Sequence, residues 1–285
     1  MRYSAFDVKP IAGALGAEVC GVDLANISDE SFSDVHRALL NHSVIFFRGQ
    51  KLTPAEQVKF ARRFGEIHFH PYVRGLPQQP EVLEIIKRED ETKNFGGTWH
   101  TDQAFNPKPA KCTILYAKET PRFGGDTMFA SGYAAYEALS DGMKQLIATL
   151  RGFNMGDRTG TRNKRLERQS TMKAREPQED EITDATHPIV RTHPETSRKS
   201  LYVSSHTVRF DAMTVEESEP LLNYLKAHFV RPEFTCRFRW EPGSLAIWDN
   251  RCTQHNALND YFGQRRIMHR VTIKGDEPVW ADCIR

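Results

Sequence analysis

The sequence predicts a mainly β protein with flanking helices, a double-stranded β-helix barrel of the jelly-roll kind. Three observations carry this expectation. Seven or more short runs rich in β-branched and aromatic residues recur along the chain. Only a few helical segments interrupt them, without the strict strand–helix alternation of a parallel sheet. No repeat or linker divides the 285 residues, a length that suits one large β-rich domain spanning 1–285.

In chain order, Ser28 caps the stretch "SDESFSDVHRALLNH" as a first helix. "SVIFF" from Ser43 follows as a strand. Thr53-Pro54-Ala55-Glu56 is a capping box with proline at the first helical position, and Gly65 closes that helix. "VLEII" from Val82 and "TILYA" from Thr113 are the next strands. Ser140 leads "DGMKQLIATLRG", whose Met143, Leu146, Ile147 and Leu150 share one face, and Thr214 with Glu217 caps "TVEESEPLLNYLKAHF". "SLYVS" from Ser200, "FTCRFRW" from Phe234, "SLAIW" from Ser244 and "RIMHRVTI" from Arg266 complete the strands. Residues 157–175 carry seven basic and two acidic residues before "EPQEDEITD" offsets them. With no aromatic residue interleaved for base stacking, the segment 157–185 reads as a solvated, mobile excursion and not as a nucleic-acid site.

Composition excludes several classes. A net charge of +2 with 27% charged and 39% apolar residues argues against bulk nucleic-acid binding or an acidic partner. There is no basic stretch leading into an apolar run at the start and no apolar run of about 18 residues, so neither export nor a membrane span is expected and the protein reads as cytoplasmic. Five scattered cysteines without a C-x-x-C fit reduced thiols, mostly small core residues, better than a disulfide framework or a structural zinc.

The chemistry starts from "GGTWHTDQAF", where His100 and Asp102 flank one small residue. With 11 His and 37 acidic residues, about 1.4 such triplets arise by chance, and the chain holds two. As a strand, residues 100–102 send both side chains to one face with Cα atoms about 6.6 Å apart, so both can converge on one ion. The second triplet, His193-Pro194-Glu195, lies in "THPETSRKS", which reads as a turn. His255, just past the apolar strand ending at Trp248, is the candidate third ligand. In "RRIMHRVTI", Arg266, Met268 and Arg270 share one face and Ile267 and His269 the other, which turns two guanidinium groups inward with no run of acids nearby in sequence to match them. Two histidines and one carboxylate leave three octahedral positions open, which suits non-haem Fe(II) better than a closed zinc site.

"NFGGTWHTD", "GGDTMFAS", "AIWDNRCTQH" and "QRRIMHRVTI", in this order, closely resemble the TauD/TfdA family of Fe(II)- and 2-oxoglutarate-dependent dioxygenases. The likeness begins with "IAGALGAEVCGVDL" and "VIFFRGQKLTPAEQVKFARRFGEIHFHP" and reaches the last strand. It implies that His100, Asp102 and His255 bind Fe(II), and that Thr127 and Arg266 hold the distal carboxylate of 2-oxoglutarate. It further implies O2 as second cosubstrate, release of succinate and CO2, hydroxylation of a small molecule, and a homo-oligomer, dimer or tetramer. Trp248, Asp249 and Asn250 are either supports of the metal ligands or strand-end packing and turn residues.

Members that oxidise taurine hold its sulfonate with residues matched here by His70 and Arg270. At the amine end the match fails: Tyr72-Val73 stands in the opposite order, and Gly96-Gly97 replaces an asparagine. "FTCRFRW" and the glycines are closer to aryloxyalkanoate- and alkylsulfate-degrading members. Arg270 and His70 are therefore expected to hold the anionic head of a sulfonate, sulfate ester or aryloxyalkanoate, with Phe105 and the 157–185 excursion over its apolar body. His70 has a plainer reading as a loop histidine bonded to backbone. An amino-acid or secondary-metabolite hydroxylase, or a taurine dioxygenase, would use the same iron site. A cupin-like binding protein or a zinc hydrolase would leave Thr127 and Arg266 unexplained.

Overall fold

The computed structural model describes residues 3–71, 73–156 and 182–280. The chain opens with strands β1 (Asp7–Pro10) and β2 (Ala17–Cys20), helix α1 (Asp29–His42) and strand β3 (Val44–Phe47). Helix α2 (Pro54–Ala61) precedes β4 (Ile67–His68), β5 (Leu83–Lys87) and β6 (Ala110–Glu119). Then come β7 (Thr127–Ser131), α3 (Gly132–Glu137), α4 (Asp141–Ile147) and β8 (Arg151–Met155). Past residue 181 lie β9 (Asp184–Pro188), β10 (Val190–Thr192), β11 (Lys199–Leu201), β12 (Thr207–Phe210) and α5 (Val215–Phe229). The last four strands are β13 (Thr235–Phe238), β14 (Leu245–Asp249), β15 (Thr253–Ala257) and β16 (Arg266–Lys274).

Two sheets face each other across an apolar core. The larger runs β1-β2-β3-β14-β6-β16, and the far edge of β16 is shared by β5 along residues 266–270 and by β4 at 272–273. The smaller runs β13-β7-β15. Side chains alternate along each strand, so Phe46, Leu115, Trp248 and Met268 from the larger sheet meet Phe129, Cys236 and Phe238 from the smaller. Phe46 stacks on Phe238 with ring centroids 4.0 Å apart. The opposite face of the larger sheet carries Ile45, Phe47, Ile114 and Ile247, which α1 and α2 cover with Val35, Leu39, Val58 and Phe60. Because β3 is buried on both faces it is a continuous apolar run, "VIFF", and not an alternating one.

The helix starts are as the sequence indicates. Ser28 accepts from the Ser31 amide, and Thr53 and Thr214 form complete capping boxes with Glu56 and Glu217. Three expectations need correction. The helix after Ser140 ends at Ile147, and Leu146 is 56% exposed because only Ile147 turns fully inward. "SLYVS" contributes strand only up to Leu201. His100 is not in a strand; it makes a single bridge to His255 before the chain turns. Of the 157–185 excursion, residues 157–181 lie outside the described residues, while 184 and 185 belong to β9. Cys20, Cys112, Cys236 and Cys252 are free thiols, three of them buried. Among the described residues no helix is long and apolar enough to cross a membrane.

Candidate metal centre and anion sites

The bridge that replaces the expected strand is what assembles the metal ligands. His255 is fixed by its register on β15 opposite Phe129 of β7. His100 exchanges two backbone bonds with it: each amide donates to the other's carbonyl, at 3.0 and 2.9 Å. This closely spaced pair brings the two rings to 4.2 Å between centroids. The chain then turns through Gln103, at φ 54°, and the turn delivers Asp102 beside them. Asp102 Oδ1 lies 3.6 Å from His100 Nε2 and 3.8 Å from His255 Nε2. His100 Nδ1 is 2.6 Å from the Thr98 carbonyl, which can only accept, so the proton sits on Nδ1 and Nε2 offers its lone pair to the shared space.

Asp102 is held from behind by residues on the larger sheet. Thr113 of β6 donates to Oδ2 at 2.7 Å. Asn250 accepts from the Asp102 amide at 3.2 Å and from Trp248 Nε1 at 3.0 Å, and its own amide donates to Thr113. The Trp248 ring stands 4.6 Å from that of His255. Burial acts to raise the Asp102 carboxyl's pKa, but Arg270, then His255 and His100, hold it well below the usual carboxylate range. Burial, and then the neighbouring His100, push His255 well below the ordinary imidazole value. Carboxylate and neutral imidazole are the forms a metal needs. Two imidazoles and one carboxylate oxygen, with no thiolate, make a donor set that fits Fe(II) with coordination positions to spare.

Both inward arginines of β16 are buried, Arg270 against Asp102 and Arg266 four residues earlier on the strand. Arg266 is 6% exposed, and its Nε and Nη2 are buried with no hydrogen-bond partner among the described residues. A buried guanidinium with two idle donors suits a carboxylate. Trp240 links it to Thr127: its Nε1 donates to Thr127 Oγ1 at 2.9 Å, and the Arg266 guanidinium carbon lies 5.8 Å from the Trp240 ring. Arg270 Nη2 is 2.9 Å from Asp102 Oδ1, and its Nε donates to Thr272 at 3.2 Å. Arg270 also lines a cavity of about 580 Å³ together with His70, Phe69, Val73 and Leu83.

Not every expected residue joins the site. Phe105 does not line that cavity; its ring lies 5.1 Å from His206, which in turn stands 6.3 Å from His100. Tyr72 lies outside the described residues. At Gly96, with φ 77°, a Cβ would come within 3.2 Å of the His100 ring, so a side chain there would press on a ligand. Of the three residues from 248 to 250, Trp248 and Asn250 support the ligands and Asp249 does not. Asp249 turns to the other side, where Arg251 forks onto both its oxygens (2.9 and 2.7 Å) and His193 lies 3.0 Å from Oδ2. His193, Asp249 and Cys252 are the second group of possible ligand atoms among the described residues. Thr113, Trp240 and His206 were not singled out by sequence. Thr113 carried a faint signal, a hydroxyl on an apolar strand.

The family model described as "Taurine catabolism dioxygenase TauD, TfdA family" matches residues 7–272. An α-ketoglutarate-dependent sulfate ester dioxygenase of Pseudomonas putida is 34% identical over 97% of this chain and 92% of its own length. An (S)-phenoxypropionate/α-ketoglutarate dioxygenase of Sphingobium herbicidovorans is 32% identical, over 95% and 96%. A crystal structure of a taurine dioxygenase from Burkholderia xenovorans superposes with a TM-score of 0.82 at 36% identity, covering 98% of this chain and 94% of that one. Family match, fold and an open His–Asp–His group agree, and the chain belongs to the TauD/TfdA family of Fe(II)- and 2-oxoglutarate-dependent dioxygenases.

Proposed function

We propose that this dioxygenase hydroxylates a carbon beside the anionic head of a small organic acid, a sulfonate, a sulfate ester or an aryloxyalkanoate. One observation carries the reading: Arg270, 5% exposed, borders at once on Asp102 and on a cavity of about 580 Å³ that His70 also lines. A head group bound there is close to the metal ligands, so the adjacent carbon is the one presented for oxidation. The cavity volume suits a ligand larger than taurine. Val73 and Leu83 give it apolar wall, which fits an apolar body better than an amine.

In this reading His100, Asp102 and His255 hold Fe(II), which when bound with 2-oxoglutarate and O2 supplies the oxidising power, while succinate and CO2 leave. Arg266 and Thr127 orient the cosubstrate through its distal carboxylate. Trp248 and Asn250 keep His255 and Asp102 aimed at one point, and the low pKa of Asp102 keeps that ligand ionised. Arg270 and His70 position the substrate. Phe105, packed on His206 next to His100, belongs to the wall near the metal and not to the head-group cavity.

The test follows succinate release with an alkyl sulfate and an aryloxyacid, each against its neutral alcohol or ester, in wild type and in Arg270→Ala. A preference for the anion that Arg270→Ala removes is the expected result. Equal turnover of the neutral compound, or a preference that survives the substitution, sinks the proposal.

A further inference from the structure

β5 and β16 pair so that Lys87 stands directly opposite Arg266, Ile85 opposite Met268 and Leu83 opposite Arg270. Directly paired residues share a face, and the packing agrees: Ile85 joins Met268 in the inter-sheet core, while Leu83 lines the Arg270 cavity. Lys87 is therefore on the inward face beside Arg266. It is 3% exposed, so its whole side chain is inside the protein. Its ammonium stands 4.1 Å over the Tyr261 ring, and its hydrogen bond among the described residues is a long one, 3.5 Å, to the Tyr261 carbonyl.

Tyr261, itself 1% exposed, packs against the turn that leads into Thr127: a Cβ on Gly125 would come 3.2 Å from its ring. Lys87, Tyr261, the Gly125 turn, Thr127 and Arg266 thus form one neighbourhood. Three carboxylates act on this neighbourhood at longer range, Asp126 on Arg266, Glu91 on Lys87 and Asp260 on Tyr261. Asp126 and Asp260 both meet Arg237, at 2.6 and 3.4 Å, which leaves one Asp126 oxygen buried without a hydrogen-bond partner among the described residues. Two buried cations from directly paired positions, neither in an ion pair among the described residues, leave room for a further negative charge supplied by a ligand. A purely structural position facing this core would be filled at less cost by methionine or leucine.

We propose that Lys87 is a second cationic residue of the cosubstrate pocket, acting with Arg266 and Thr127 on the distal carboxylate of 2-oxoglutarate. The proposal rests on the reading of Arg266 given above. Its test separates the carboxylate from the rest of the ligand. Binding of 2-oxoglutarate and of 2-oxopentanoate, the same chain without the distal carboxylate, is measured by calorimetry on Mn(II)-loaded wild type, Lys87→Met, Lys87→Arg and Arg266→Ala. Lys87→Met is expected to weaken 2-oxoglutarate roughly tenfold and to leave 2-oxopentanoate unchanged, with Lys87→Arg in between. Its melting temperature should not fall, because an unpaired buried charge has been removed. Equal weakening of both ligands, or a lower melting temperature with unchanged 2-oxoglutarate affinity, overturns the proposal and makes Lys87 structural. If wild type shows no preference for 2-oxoglutarate over 2-oxopentanoate, the reading of Arg266 fails and the Lys87 proposal with it. A preference lost in Arg266→Ala but kept in Lys87→Met overturns the Lys87 proposal alone.

Discussion

Two clusters of histidine and carboxylate lie on opposite sides of the "WDN" triplet, and they differ in what neutralises the carboxylate. Around Asp249 the charges close on themselves. Arg251 forks onto both of its oxygens, His193 takes one of them, and Arg251 reaches on to Glu195, which His36 and Lys111 also touch. Cys252, the third possible ligand, is pushed up to about 12 by burial and then by Asp249, so it stays a thiol. Around Asp102 one oxygen takes Thr113, and the other faces two imidazoles and Arg270. The lesson is that a divalent ion is invited by convergent lone pairs, which the second cluster has and the first has spent. An ion here would add two positive charges to the two inward arginines, and in the function proposed above the cosubstrate and substrate would supply the negative charge that Asp102 alone does not.

The largest effect expected is at the open cluster. Asp102→Ala or His255→Ala should abolish succinate release and metal retention while the fold survives on its apolar core, His255→Ala melting near wild type and Asp102→Ala lower because it strands the buried Arg270. Metal analysis beside a turnover assay checks this; full turnover by either variant would break the comparison. At the closed cluster the order reverses. Asp249→Ala should cost about 3–5 kcal/mol in urea unfolding by stranding Arg251, yet change metal affinity by less than about tenfold. A variant that melts like wild type but loses its iron would show that the roles are exchanged.

Arg266→Ala should weaken 2-oxoglutarate binding by roughly 10²- to 10³-fold, the loss of a buried charge pair, and Arg266→Lys should restore only part of it. Titration of the Mn(II)-loaded variants measures this, and unchanged affinity would assign the cosubstrate to Arg270. The smallest effect concerns pH. Bonding to His36, then to Arg251, outweighs burial and holds Glu195 below the ordinary carboxylate range, as Arg251 and His193 do for Asp249 against a larger burial effect. Both folded-state values are depressed, so the stability they confer is present above the unfolded carboxylate value of about 4 and is lost as pH falls below it. Melting temperatures between pH 6 and 3 should fall less steeply in Glu195→Gln than in wild type; parallel curves would contradict the linkage.

Much of this was legible in sequence where one strand or one cap decides the outcome. Period-two alternation placed Arg266 and Arg270 together, and Thr53 and Thr214 announced their helices. His100 and Asp102 do share a target, although a bridge and a turn deliver them where a strand was expected. What sequence could not show depends on partners far apart. Thr127 meets Trp240 across 113 positions, and His193 meets Asp249 across 56. Asp249 was grouped with Trp248 and Asn250 by adjacency, whereas alternation at the end of β14 sends it the other way. Short strands such as β4 and β15 exist because neighbours pair with them, not because their own residues insist.

β16 carries Arg266 and Arg270 four residues apart, clamped by β6 on one edge and by β5 on the other. Inserting or deleting one residue between them would turn one arginine out of the barrel while leaving the other in place. Chain length in this strand therefore sets the direction of both arginines at once. The segment between β4 and β5, residues 69–82, has no such constraint, and it supplies most of the wall next to Arg270. A change in the length or composition of that loop would therefore reshape the cavity beside Arg270 without moving Arg266 at the other end of the strand.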